Sequence, residues 1–291
     1  MATVRIISDS AADLSMEVYK KYDVSVVSFY ITFDKVKYYK EHKDITAQEF
    51  FQRLRTEKAF PSTSLPTAED YAQTFRPFLE AGQDIVCLCI SSKFSGSYDS
   101  AKLAATELKE EFPGRVIRVI DSIQASAGEG VIVLEMVKMR DAGWDADAIA
   151  ARTEVIKHSA RVFLTVDSLE YLQKGGRVGK ASALAGTILN IKPIITMVNE
   201  ELHPTAKVRG RQNAIDRVIR MNDEYCGDRR ADYNFLLLNS ESMPEITAVE
   251  KRMIEMGYTF EYPIQSLGIT IGSHIGPTVV GICPVLRWDA K

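Results

Sequence analysis

Short β-branched runs alternate with segments carrying apolar residues at helical spacing through the first half of the chain. VRIIS (4–8), VSVVSFYITF (24–33), DIVCLCI (84–90) and RVIRVI (115–120) read as strands. Residues 67–82, 95–112, 125–143 and 144–160 read as helices, two of them ending on Gly. That alternation predicts a parallel sheet covered by helices, with ligands bound where loops leave the C-terminal ends of strands. After residue 158 the pattern changes. Strand-like runs at 160–166, 191–198, 201–208, 234–239, 259–264 and 267–272 surround helical patterns at 211–226 and 243–257. VNEEL (198–202) reads as a hairpin turn, so this part predicts a mixed or antiparallel sheet. The fold class is therefore α/β in two domains, 1–158 and 159–291. KVKYYKEHKD (35–44) reads as a solvated hairpin or loop, and no internal repeat is present.

Composition narrows the function classes. With 291 residues, 46% of them apolar, the chain is long enough for a substantial core in two domains. A net charge of −3 gives no global electrostatic reason to bind nucleic acid or an anionic membrane, which leaves only local or transient membrane-surface contact. The start MATVRIISDS lacks a secretion pattern and no apolar run approaches the roughly 18 residues of a membrane span, so a cytoplasmic location is expected. Cys87, Cys89, Cys226 and Cys283 show no CxxC or Cys/His zinc spacing, and are expected to be reduced structural thiols with no metal site.

Candidate chemistry gathers at loops. SDSAADL (8–14) follows the first strand, where Ser8, Asp9 and Ser10 suit helix capping. PSTSLPT (61–67) offers the hydroxyls of Ser62, Thr63, Ser64 and Thr67 between two prolines, aimed either outward or at their own backbone. In SSKFSGSYDSA (91–101), Ser95 and Gly96 stand where a strand turns into a helix, so a hydroxyl and the first amides can converge on an anion or simply cap the helix. GSHIGPT (272–278) sets His274 among glycines in a turn expected to be exposed. LEYLQKGGRVGKAS (169–182) holds Lys174 and Arg177 on a glycine turn, with a plain solvated loop as the alternative.

Taken in order, SDSAADL, PSTSLPT, SSKFSGSYDSA, DSIQASAGEG (121–130), YLQKGGRVGK (171–180), ILNIKPII (188–195), KVRGRQNA (207–214) and GSHIGPT closely resemble the DegV family of bacterial fatty-acid-binding proteins. Each motif is weak alone, but eight in register cover nearly the whole chain. The resemblance implies a Rossmann-like domain joined to a smaller α/β domain, with one fatty acid buried between them. It implies that Thr63, Ser95 and His274 hold the carboxylate, with the Gly96 N–H as a natural extra donor. It implies no cofactor and no catalytic residue: the chain would be a carrier that presents a long-chain fatty acid to a separate fatty acid kinase for phospholipid synthesis. Arg177 and the basic run Lys207, Arg209 and Arg211 become candidate phosphate or partner contacts, and a monomer is expected.

Departures from the family pattern are Thr278 where Gly is usual, and Phe94 and Ser97 in the turn before Tyr98. Three rival readings remain open. Ser95, Asp121 and His274 occur in the order of an acyl hydrolase, but the G-x-S-x-G elbow is missing. A nucleotide-binding enzyme would need a G-x-G-x-x-G first turn or a GxxxxGK[ST] loop, and neither is present. A lipid sensor or store without a kinase partner fits the same motifs.

Overall fold

The computed structural model describes residues 3–57, 60–177, 190–198 and 200–291. The first part of the chain contributes β1 (Val4–Asp9), α1 (Met16–Lys21), β2 (Val24–Val27), β3 (Tyr30–Thr32), β4 (Tyr38–Lys40), α2 (Ala47–Glu57), β5 (Ser62–Ser64), α3 (Ala68–Glu80), β6 (Asp84–Cys89), α4 (Ser97–Glu111), β7 (Ile117–Asp121), α5 (Ala127–Asp141) and α6 (Ala146–Ile156). The remainder contributes β8 (Phe163–Thr165), α7 (Glu170–Lys174), β9 (Ile191–Val198), β10 (Glu201–Arg209), α8 (Arg211–Cys226), β11 (Tyr233–Asn239), α9 (Met243–Glu255), β12 (Gln265–Ser266), α10 (Ile269–Ile275) and β13 (Val280–Leu286).

Strands β2, β1, β6 and β7 form a parallel sheet in that order, the α/β arrangement that strand–helix alternation dictates. Period-two alternation then sorts its side chains. Ile7, Ile85, Cys87 and Cys89 pack under α3 and α4, against Tyr71, Phe75, Ala101 and Leu108. Ile6, Val86 and Leu88 point the other way, toward α5. The second sheet is mixed, in the order β10-β9-β8-β13-β11-β12. Its Ile194, Phe235, Leu237 and Ile282 pack against α8 and α9, while Ile195, Leu236, Leu238 and Val285 join the α5 side. Helix α5 thus lies between the two sheets and is buried nearly all round, which explains its lack of a polar face. A small antiparallel sheet, β4-β3-β5, completes the fold.

Local chemistry sets the ends. The Thr67 hydroxyl accepts from Asp70 N–H (3.1 Å) and the Asp70 carboxylate accepts from Thr67 N–H (2.9 Å), a capping box that starts α3. Asp145 caps α6 by accepting from Ala148 N–H.

Four expectations from the sequence are corrected. The run 24–33 is two strands in different sheets, broken where Phe29 N–H donates to Ser10 Oγ and Phe29 C=O accepts from Glu41 N–H. Residues 259–264 are not a strand; only Gln265–Ser266 pairs with β11. Residues 267–272 do not form a strand but lead into α10, because side-chain carboxylates take the amides that a strand would offer a neighbour. PSTSLPT is not only a loop, since Ser62–Ser64 pairs with β3. Helix α2 and the interior strand β13 escape the sequence reading. In β13, Pro284 is tolerated because its side of the strand lies beyond the end of β8, where its carbonyl accepts from Arg161 N–H.

Candidate functional site

A cavity of about 450 Å³ opens between the two larger sheets, within the ~300–1,000 Å³ range of small-molecule sites. Its walls are mainly apolar. Phe29, Ile90 and Phe94 line it from the first sheet's loops, Val162, Leu164, Met197 and Leu202 from the second sheet, and Ile271 and Ile275 from α10. The β9–β10 pairing sets Leu202 opposite Met197 on the cavity face.

Polar groups converge at one part of this wall. Pairing of β5 with β3 sets Thr63 opposite Ile31, and Thr63 Oγ1 lies 2.8 Å from His274 Nε2. Ser95 sits before α4, its hydroxyl accepting from Ser97 N–H at 3.2 Å, and Gly96 is the N-cap residue with no side chain to close the helix end. The four predicted carboxylate contacts, Thr63, Ser95, Gly96 and His274, all line the same cavity, as does Arg177. Thr67 turns inward to its helix cap instead.

His274 is not in an exposed turn, as its glycine neighbours implied. It occupies the last turn of α10 and is largely buried, so its imidazole is held down to about 4, first by burial and then by the Arg177 charge. The ring is neutral at physiological pH. The Gly175 backbone lies against Nδ1 and pulls the pKa slightly the other way, but Nδ1 has no partner with hydrogen-bond geometry among the described residues. That contact is close: a β-carbon on Gly175 would sit 2.5 Å from Nδ1. Gly276, with φ +82°, then ends α10 against the Tyr171 ring.

Below the wall lies a set of buried acids. Asp9 accepts from the Ser97 hydroxyl (2.8 Å) and from Ile90 and Ala11 N–H. Burial raises its pKa to about 6 against the lowering effect of those donors. Glu129 accepts from the Ser8 hydroxyl, and burial holds its carboxyl well above the ordinary range. Ser8, Asp9 and Ser10 are thus structural partners of the core rather than ligand contacts in this geometry.

The remaining basic candidates differ among themselves. Arg211 is committed to Glu245, with Nη2 to Oε2 at 2.8 Å, and lies 3.9 Å from Asp167. Lys207 and Arg209 are exposed on β10. No group of three or more His, Cys, Asp or Glu side chains suited to a metal occurs among the described residues, and the four cysteines are free and buried.

A hydrolase arrangement is not what this geometry brings together. His274 Nε2 contacts Thr63, the Ser95 hydroxyl accepts from Ser97, and the Asp121 carboxylate accepts from Ser92 and Ile123 N–H.

A family model described as "Uncharacterised protein, DegV family" matches residues 3–287. This chain belongs to the DegV family. Among curated relatives, the DegV domain-containing protein CPE0026 of Clostridium perfringens is 30% identical over 93% of each chain. Among solved structures, a stearic acid-binding protein from Eubacterium ventriosum matches at TM-score 0.92 and 32% identity over 99% of both chains. A DegV protein of Thermus thermophilus, described by its fatty acid binding, matches at TM-score 0.88 and 32% identity over 98% of this chain and 99% of that one.

Within this DegV chain the motif positions that differ from the usual pattern have identifiable contacts. Phe94 lines the cavity, the Ser97 hydroxyl serves Asp9 and Tyr71, and the Thr278 hydroxyl accepts from Asp167 N–H. Sequence reasoning missed Phe29, Thr270, Ile271 and Ile275 as cavity walls. Only Ile271 and Ile275 carried a signal, their apolar spacing with Ile269, and it fitted a strand equally well.

Proposed function

We propose that this protein binds one long-chain fatty acid in the cavity, its carboxylate held by Thr63, Ser95, His274 and the Gly96 N–H. The observation that carries this reading is the Thr63–His274 pair, a neutral hydroxyl and imidazole at 2.8 Å on the wall of an otherwise apolar cavity. Neutral donors suit the task. An anion buried without partners is very costly, and several hydrogen bonds replace its water shell without burying an opposing charge. The tail supplies affinity: at ~0.8 kcal/mol per buried CH₂, about 14 methylenes contribute on the order of 10 kcal/mol before ordering costs. The 32% identity to a stearic acid-binding structure supports the same ligand class.

In this reading the chain is a monomeric cytoplasmic carrier without catalysis of its own. Its domains are residues 1–158 and 159–291, with the ligand between them. It presents the carboxylate to a separate fatty acid kinase, which forms the acyl phosphate used in phospholipid synthesis. Arg177 stands at the cavity, and Lys207 and Arg209 offer a charge-complementary strip to phosphate or kinase. Because Arg211 is paired with Glu245, its role there is secondary.

The experiment is displacement of a fluorescent fatty acid by oleate in Thr63→Ala, Ser95→Ala and His274→Ala. Each loss of a hydrogen bond to a charged group is worth about 1.5–3 kcal/mol, so affinity should fall roughly ten- to a hundredfold with unfolding cooperative. Parental affinity in all three variants would remove the site.

A further inference from the structure

The helix that carries His274 is gripped at its other end by two carboxylates that the binding site does not use. Glu41, only 1% exposed, follows β4. Its Oε1 accepts from Ile269 N–H (2.6 Å) and Thr270 N–H (3.3 Å), and its Oε2 accepts from the Thr270 hydroxyl (2.6 Å). Asp13 is equally buried; Oδ1 accepts from Gly268 N–H (2.9 Å) and Oδ2 contacts the Ser126 hydroxyl. Three consecutive amides at the start of α10 therefore end on side-chain carboxylates.

Gly268 shows how tightly this arrangement is closed. A β-carbon there would come 2.6 Å from Asp13 Oδ1 and 2.7 Å from Glu41 Oε1. Its φ of −72° is open to any residue, so space rather than backbone conformation requires the glycine. Past this clasp, Thr270, Ile271, His274 and Ile275 form one wall of the cavity, and Ser126, the partner of Asp13, lines it as well. The sequence of α10 is too short and too rich in β-branched residues to hold a helix unaided.

We propose that Glu41, backed by Asp13, is a positioning residue for His274: by fixing the start of α10 it sets where the imidazole meets Thr63. Glu41 itself touches no ligand. The consequence for affinity rests on the fatty-acid reading above, whereas the consequence for the imidazole does not.

The test compares Glu41→Ala with Glu41→Gln in the full chain, reading the ¹⁵N resonances of His274 without ligand and the affinity for oleate. Glu41→Gln keeps an oxygen acceptor for the two amides and should retain the parental His274 signal, with affinity within about threefold. Glu41→Ala should shift the Nε2 resonance and weaken oleate binding about tenfold or more, with cooperative thermal unfolding retained. Should Glu41→Ala not fold, Gly268→Ala pushes on the same clasp from the helix side and should move the same resonance. An unmoved His274 resonance, or parental oleate affinity, in a folded Glu41→Ala or Gly268→Ala protein overturns the proposal. A parent that takes up no oleate, while its His274 resonance still responds to Glu41→Ala, would refute the fatty-acid reading and leave the positioning role standing.

Discussion

His274 couples the site to pH. Its neutral state follows from burial and from Arg177, and an arriving carboxylate reverses that balance, because an anion at hydrogen-bond distance favours the imidazolium. In a histidine NMR titration the free protein should show His274 titrating near 4, and bound oleate should move the midpoint upward. A free midpoint near 6.5, the ordinary value, would contradict the burial described here. Linkage gives a sign for stability too. With its native pKa depressed, His274 contributes stability that is present above pH 6.5 and is lost as pH falls toward 4, on the order of 3 kcal/mol. Asp9 works oppositely: raised from 3.8 to about 6, its contribution is present below pH 3.8 and lost as pH rises toward 6. Between pH 4 and 6 the two largely offset each other.

Elements show where local pattern is outvoted. Strand β9 and helix α8 match their predicted bounds at both ends, α8 because one face lies on a core and one is turned away, β9 because both of its faces are buried and read as a continuous apolar run. Helix α10 does not: Ile269, Thr270 and Ile271 read as strand until Glu41, more than two hundred residues earlier, takes the amides of Ile269 and Thr270. The buried acids and the burial of His274 were illegible for the same reason, being products of distant contacts, whereas Thr63 and Ser95 were marked by short motifs. Strand β10 carries a consequence for partner binding. Its register shifts between Pro204 and Ala206, so Ala206 and Val208 pack toward α8. Lys207, opposite Pro193, and Arg209, opposite Ile191, then share the face of Met197, which lines the cavity. In the carrier reading proposed above, reversing both charges should slow kinase-dependent acyl phosphate formation several-fold while leaving bound lipid in place. Equal rates would move the docking surface elsewhere.

At the scale of the whole molecule, two sheets share α5 as a common core, and the cavity lies beside it where loops of the parallel sheet face β8, β9 and α10. Parallel-sheet alternation predicted a ligand at those loops; it did not predict that the second sheet and α10 would supply the facing wall, since side-chain period alone does not say which elements face each other. An apolar cavity with a few convergent neutral donors calls for a ligand that is mostly hydrocarbon with one anionic end. Mass spectrometry of an organic extract from the purified, folded protein tests that claim most directly. The account predicts a near-stoichiometric long-chain fatty acid, depleted in the His274→Ala protein. An empty extract from protein that also fails to take up added oleate would contradict it.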